Sequence, residues 1–429
     1  MADGAPPISA NAPAPDRHQP SHRIRDLLIT VALTALALLL HDRIIILTDL
    51  ENYLVDYRLR HCRPAPASPD LVYVSVDKTS YAGDFPEVVV QQAAGDDQYF
   101  MTLLRSEWPW TREVWAYVAG RLMKAGAKGV LLDFIFPSEK PEDAELKAVL
   151  DRHAPRVVIG ALVDQGEGST SLIPPTATLI DPDQTGATID DSRVGLLNVH
   201  TSADGVVRRG LYSLDLDSFF GLPGTGSEKA PPLKTAVARA VAILNPGAEP
   251  PSGQLLRFAG PPGTFETISL KRIIDPVEWK SQFANRDFFS GKFVLIGPGS
   301  AVLNDYHRTP FTEHGAEMSG PELLLNQINA ALHNGFFTES TAGQNRMIIA
   351  GAGLLLLTIL TLLRTSLTQM LATALLSAAF LFATFWLADR HGYMLTTVFC
   401  PLLVLNGGAF AALLLDRRSL STTTAEARP

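Results

Sequence analysis

Charge and cysteine are both scarce in this chain. Asp, Glu, Lys and Arg make up 19% of its 429 residues, against about a quarter in an ordinary soluble domain. Two cysteines, Cys62 and Cys400, are too few for a disulfide framework. No G-x-S-x-G, H-E-x-x-H or C-x-x-C pattern occurs, so the common nucleophile, zinc and redox motifs are missing. Excess positive charge is missing too: the net charge is −8, which argues against a nucleic-acid partner, since phosphate binding needs a basic face. The 32 Gly and 30 Pro show no period, and 46% of the chain is hydrophobic, which excludes collagen-like and disordered classes.

What is present is long uncharged sequence. Met347–Leu363 has 17 residues without a charge, Thr365–Ala388 has 24, and Gly392–Leu415 another 24. A helix needs about 20 predominantly apolar residues to cross a bilayer core. Near the N-terminus, Leu27–Leu40 supplies 14, followed by His41-Asp42-Arg43 and then Ile44–Leu47. No small-x-small cleavage site follows directly, so this run reads as an uncleaved signal anchor. Arg17, Arg23 and Arg25 precede it, Arg364 separates the next two runs, and Arg417-Arg418 follow the last. The positive-inside rule then predicts four spans, both termini in the cytoplasm and the middle outside.

The expected divisions are a disordered cytoplasmic tail over 1–22 and a transmembrane signal anchor over 23–47. An extracytoplasmic domain over 48–343 follows. Three membrane helices (347–363, 366–388 and 393–415) fill 346–415, and a short cytoplasmic tail covers 416–429. The middle carries 26 Lys and Arg against 37 Asp and Glu, so the acidity belongs to the domain and the membrane-proximal ends are basic.

Within the middle, apolar spacing from Leu47 to Arg60 predicts a helix ending at Pro64, Pro66 and Pro69. Leu71–Val76 reads as a buried strand, 112–125 as a helix, Lys128–Phe134 as a strand, Glu142–Leu150 as a helix and Arg156–Val163 as a strand. Later strands are expected at Val206–Leu214, Leu255–Ala259 and Phe293–Ile296, with helices near Leu233–Leu244 and Pro321–Leu332. Gly166–Thr188 and Gly221–Pro232 read as loops. The fold class is an α/β extracytoplasmic domain with a largely parallel or mixed sheet, plus four transmembrane α-helices.

Gly260-Pro261-Pro262-Gly263-Thr264-Phe265-Glu266-Thr267 mimics a phosphate-binding loop. Phe265 and Glu266 stand where that loop needs Gly and Lys, so it reads as a turn. Asp181, Asp183, Thr185 and Gly186 resemble the start of a calcium loop, but Ser192 stands where the bidentate acid belongs; an acidic surface loop is the reading. Trp108-Pro109-Trp110-Thr111-Arg112 makes either a stacking surface with a charged donor or an aromatic lock on the core. Asp77 and Asp133, at carboxyl ends of the predicted parallel strands, sit where α/β folds hold ligands, though acids there also cap helices. The expected ligand-binding residues are Asp77, Trp108, Trp110, Arg112, Asp133 and Asp305, with no catalytic residue and no metal ligand.

Taken together these blocks resemble the type-2 CHASE domain, an extracytoplasmic sensory domain of bacterial receptors. The matching segments are Asp56-x-Arg58, Val74-x-Val76-Asp77, Trp108–Arg112, Gly126–Phe136, Gly195-x-x-Asn198 with Asp204–Arg208, Gly260–Phe265, Gly291–Gly297, Asp305–Pro310 and Ser319–Glu322. The resemblance implies one anchor helix before the domain and three after it. Two departures stand out. About thirty residues, Lys78–Glu107, separate the first strand's Asp from the tryptophans, and Leu324 stands where a His is expected. Family receptors continue into a cytoplasmic cyclase, kinase or phosphatase, whereas only 416–429 follow here, which implies output through a partner.

The function expected is a non-enzymatic, membrane-anchored sensor or signal-input protein without a cofactor. Its partners would be membrane lipid and another membrane or signalling protein, or a second copy of itself, in the bacterial inner membrane. The alternative is a structural or scaffolding subunit of an envelope complex with no small-molecule ligand.

Overall fold

A computed structural model describes residues 20–41, 45–106, 108–166, 169–180, 191–215, 232–300, 303, 305–312 and 317–426. The chain opens with helices α1 (Pro20–Leu40) and α2 (Ile45–His61), strand β1 (Leu71–Val76), and helices α3 (Lys78–Ala82), α4 (Glu87–Gln92), α5 (Asp96–Leu103) and α6 (Arg112–Lys124). It continues with β2 (Gly129–Ile135), α7 (Asp143–His153), β3 (Val157–Gly166), β4 (Ser169–Ile173), β5 (Val194–Leu196), β6 (His200–Thr201), β7 (Val207–Arg209), β8 (Ser213–Leu214) and β9 (Leu233–Lys234). Next come α8 (Ala236–Leu244), β10 (Leu255–Leu256), β11 (Glu266–Ser269), α9 (Leu270–Ile274), β12 (Phe293–Pro298), β13 (Tyr306–His307) and β14 (Met318–Ser319). The last elements are α10 (Gly320–Leu332), β15 (Phe336–Glu339), α11 (Ala342–Leu362), α12 (Ser366–His391), β16 (Tyr393–Met394) and α13 (Phe399–Glu426). The chain divides into two compact units, one of residues 55–339 and 387–394, the other of the remaining N- and C-terminal residues.

The larger unit is built on a mixed sheet in the order β11-β1-β12-β2-β3-β4, with β5 also on β3. Every pairing is parallel except β3–β4. Strand side chains alternate between two apolar layers, as a period of two demands. Val72, Val74, Val130, Leu132, Val294 and Ile296 join one core with Val114, Trp115, Val118 and Leu122 of α6 and Leu146 and Leu150 of α7. Leu71, Tyr73, Leu131, Phe293 and Leu295 join the other with Val237 and Val241 of α8 and Leu325 and Ile328 of α10. The result is helix, sheet and helix in three layers. Gly195 on β5 lets α8 start directly against the sheet, since a Cβ there would lie 2.4 Å from the Cα of Ala236.

Several expectations are corrected. Gly166–Thr188 is not all loop, because β4 turns back antiparallel on β3. The expected strand Val206–Leu214 is two short strands, β7 in a second sheet (β16-β15-β10-β7-β6) and β8 on β9. Arg208 on β7 explains part of this. Its guanidinium is buried between Asp56 (Nη2–Oδ2 2.8 Å) and Asp204 (Nη2–Oδ2 2.7 Å), and bonds to Arg208 hold the Asp204 carboxyl below the usual range. Residues 78–106 include three helices, and Phe85, Met101 and Leu104 of this stretch are buried in the core. Tyr393 and Met394, expected inside the last span, form β16 and pair in parallel with β15.

In the other unit α11, α12 and the Phe399–Asp416 part of α13 are long and apolar enough to cross a membrane. A fourth, N-terminal span is not supported. Arg23, Arg25 and Asp26 occupy the start of α1 and leave only the 14 apolar residues 27–40. That falls short of the roughly 20 a bilayer core asks for. Helix α1 nevertheless packs with α11 and α13, burying Ala37 with Ile349, Leu356, Cys400 and Val404. Small residues make the close approaches: a Cβ on Gly408 would lie 2.1 Å from Leu356 and one on Gly353 2.2 Å from Thr34. Asn406 donates to Ser377 Oγ at 2.7 Å, a polar tie between two apolar helices. Both cysteines are free and buried.

Candidate functional site

The parallel strands β2 and β3, with β12 between β1 and β2, end together, and a cavity of about 560 Å³ lies at those carboxyl ends. Its walls come from Asp133, Phe134 and Ile135 of β2, Leu162 of β3, Pro298 of β12, and Leu197, Asn198 and Val199 after β5. Gly320 and Leu324 of α10, Asp305, His307 and Trp108 close it. Open α/β sheets bind ligands in this crevice because strand ends and helix N-termini converge there. The wall is mostly apolar, with four polar side chains.

Asp133 is the most unusual of these. Its residue is 8% exposed and its Oδ2 is buried with no hydrogen-bond partner among the described residues. Burial pushes its carboxyl well above the usual carboxylate range, and the neighbouring Asp305 adds to the shift. Two glycines make room for the acids. A Cβ on Gly297 would stand 3.0 Å from Asp133 Oδ2, and one on Gly320 would stand 2.1 Å from Asp305 Oδ2. The short ladder of β13 on β14 sets Asp305 and His307 beside the start of α10. There Gly320 N–H donates to the Asp305 carbonyl at 3.0 Å, and His307 Nε2 lies 3.1 Å from Asp305 Oδ1. Asn198 is clamped by Val163, accepting from its N–H at 2.9 Å and donating to its carbonyl at 2.8 Å.

Trp108 forms an aromatic wall and is itself wedged by rings. It meets Trp110 edge-on at 5.1 Å, Tyr81 at 5.2 Å and Trp115 at 6.1 Å, and tilts over Phe134 at 5.9 Å. Rings held in this way lose little entropy when something stacks on them.

Three of the six residues expected to bind ligand, Trp108, Asp133 and Asp305, line this one cavity. The other three have other work in the fold. Trp110 is buried in the core under Trp108. Arg112 ion-pairs with Asp143 at 3.1 Å, donates to Ser138 O at 3.0 Å and covers Phe136. Asp77 caps α3, its Oδ1 accepting from Ser80 N–H at 2.9 Å and from the hydroxyls of Thr79 and Ser269. Burial opposes ionisation of Asp77, but these donors prevail and lower its pKa. His307 and Leu324 were not expected at the site. His307 was findable, since it follows Asp305 by two residues and a strand puts such pairs on one face. Leu324, where a His was expected, supplies apolar wall instead.

The glycine-rich segment 260–267 also has a partner. The N–H groups of Gly263 and Thr264 donate to Glu322 Oε1 at 2.7 and 2.9 Å, so a carboxylate of the chain itself fills the position a phosphate would take. Of the acidic segment 181–191, residues 181–190 lie outside the described residues, and Asp191 bonds Arg193. In the other unit, His41, Glu51 and Cys400 bring donor atoms within 4.8 Å of one another. Glu51 there accepts from the N–H groups of Val398, Phe399 and Cys400 at the start of α13, which is a helix cap.

A three-layer α/β domain with a cavity at its strand ends, on a chain with three apolar helices among the described residues, defines a class: membrane-anchored proteins carrying a folded α/β domain. Residues 29–365 match the CHASE2 domain, so the chain belongs to that family of sensory, extracytoplasmic domains. No curated protein and no solved structure matches it.

Proposed function

We propose that this protein is a non-enzymatic sensor of the bacterial cytoplasmic membrane whose 560 Å³ cavity takes a small molecule. The observation carrying the reading is Asp133, a buried acid in the wall with an oxygen that has no partner. Leaving such a group unpaired is costly, and a ligand that bonds it recovers the loss. The chain of β15 runs within two residues into α11, so a shift at the domain's end has a short covalent path to the membrane helices. The signal then passes to another membrane protein or to a second copy. Arg364 and Arg417-Arg418 support a cytoplasmic α11–α12 turn and a cytoplasmic end of α13 by the positive-inside rule.

Trp108 serves as the reporter. The purified full chain in nanodiscs is titrated with a small-molecule library while its tryptophan fluorescence is followed. Hits should lose their effect in Leu162→Trp, which fills the cavity. Hits that persist unchanged in that variant would overturn the reading. A reporter fused after Thr424 should be active only in the cytoplasm.

A further inference from the structure

Resting on that cavity reading, we infer that its ligand is a small organic cation: a protonated amine head seated between Asp133 and Asp305, with an apolar body against Trp108 and Phe134. Four observations converge. The first is charge: among the described residues the wall holds two carboxyl groups and one imidazole, and no Lys or Arg. An anionic ligand would find no permanent positive charge to pair with there. The second is the free acceptor, since Asp133 Oδ2 is buried without a partner. The third concerns the start of α10, a feature that would attract an anion. Asp305 packs directly on Gly320 and accepts its N–H through the carbonyl, which sets a carboxyl group at that helix start. The fourth is aromatic: Trp108 and Phe134 line the same space, and ring faces attract cations at short range.

Binding is then linked to a proton. With the cavity empty, burial raises the pKa of the Asp133 carboxyl and so favours its protonated form. An ammonium group beside it favours the carboxylate, so the proton leaves to solvent as the cation enters. The titratable groups facing Asp133 are Asp305 and His307 on the β13 side and Tyr73 on β1. The elements β3, β12 and α10 line the cavity with Leu162, Pro298, Gly320 and Leu324, none of which titrates. A neutral ligand accepting a bond from the protonated acid would show the opposite pH dependence.

The test uses the full chain in nanodiscs and three probes of nearly equal shape: 2-phenylethylamine, 2-phenylethanol and phenylacetate. Calorimetry is run up to about 10 mM, the range set by the limited affinity of so few atoms. The amine should bind at least about tenfold more tightly than the alcohol near pH 8, the fold-change of one lost charge-assisted hydrogen bond. Its affinity should fall as the pH drops, and repeating the titration in buffers of different ionisation enthalpy should show proton release. Asp133→Asn should remove both the preference and the proton release. If that variant fails to fold, the sign of the pH dependence in the unaltered chain decides alone. Equal or tighter binding of the alcohol or of phenylacetate would sink the cation while leaving the cavity reading in place. If none of the three binds, the cation class is also lost, and the cavity reading then stands or falls with the library titration.

Discussion

A carboxyl group buried without a partner works against the fold, and Asp133 carries that burden at neutral pH. Below the unfolded carboxyl's pKa, about 3.9, folded and unfolded chains both hold the proton and nothing is lost. Above it the unfolded chain releases the proton while burial keeps it on the folded one, so this residue's contribution falls as pH rises. Asp133→Asn removes the slope. The variant's melting temperature should exceed that of the unaltered chain near neutral pH, by roughly 2–4 °C for each kcal/mol gained. The advantage should disappear near pH 4, about the unfolded value. Equal melting curves at both pH values would mean that Asp133 is solvated or paired. A site that costs stability when empty is one where a ligand has something to recover.

At the scale of elements, strand and helix order carries the site more than any motif does. Parallel strands β1, β12, β2 and β3 bring residues far apart in sequence to one sheet edge, and α8 and α10 close one face. The close approach of β5 to α8 depends on Gly195. Gly195→Val should abolish a folded extracytoplasmic domain, because its Cβ would lie 2.4 and 2.5 Å from backbone atoms of Ala236. Backbone cannot yield as a flexible side chain can, so a loss above about 3 kcal/mol is expected. Limited proteolysis of the membrane-embedded variant reads it: resistance equal to the unaltered chain would show that the helix start shifts cheaply. Most of these elements were legible in the sequence, since buried strands such as Leu71–Val76 are continuous apolar runs and α6 and α10 have apolar faces. The helices within 78–107 were not, because no long period marks pieces of five to eight residues. The split of 206–214 was hidden as well, because the buried Arg208 draws β7 towards Asp56, far away in sequence.

At the scale of the whole molecule, three apolar helices commit the chain to a membrane. Alkaline carbonate washing, which strips peripherally bound proteins, should leave the full chain in the membrane pellet. Release into the supernatant would contradict insertion. The expected fourth span shows the limit of counting apolar residues. Helix α1 packs among the membrane helices, yet its charged start leaves too short an apolar run to qualify as they do.

Composition and hydropathy alone determined that this is a membrane protein with an acidic α/β domain, because a bilayer selects for uncharged length and a sheet for alternating burial. The same reading singled out six residues for ligand binding without ranking them, since Asp77 and Asp133 look alike at the ends of two strands. Only the tertiary structure separated them. Asp77 meets the N–H and hydroxyl donors of the next turn and becomes a cap. Asp133 lines the cavity beside Gly297, and its Oδ2 finds no hydrogen-bond partner among the described residues. The difference lies in which distant elements, β13 and α10 against α3 and β11, fold over each strand end, and no local pattern encodes that.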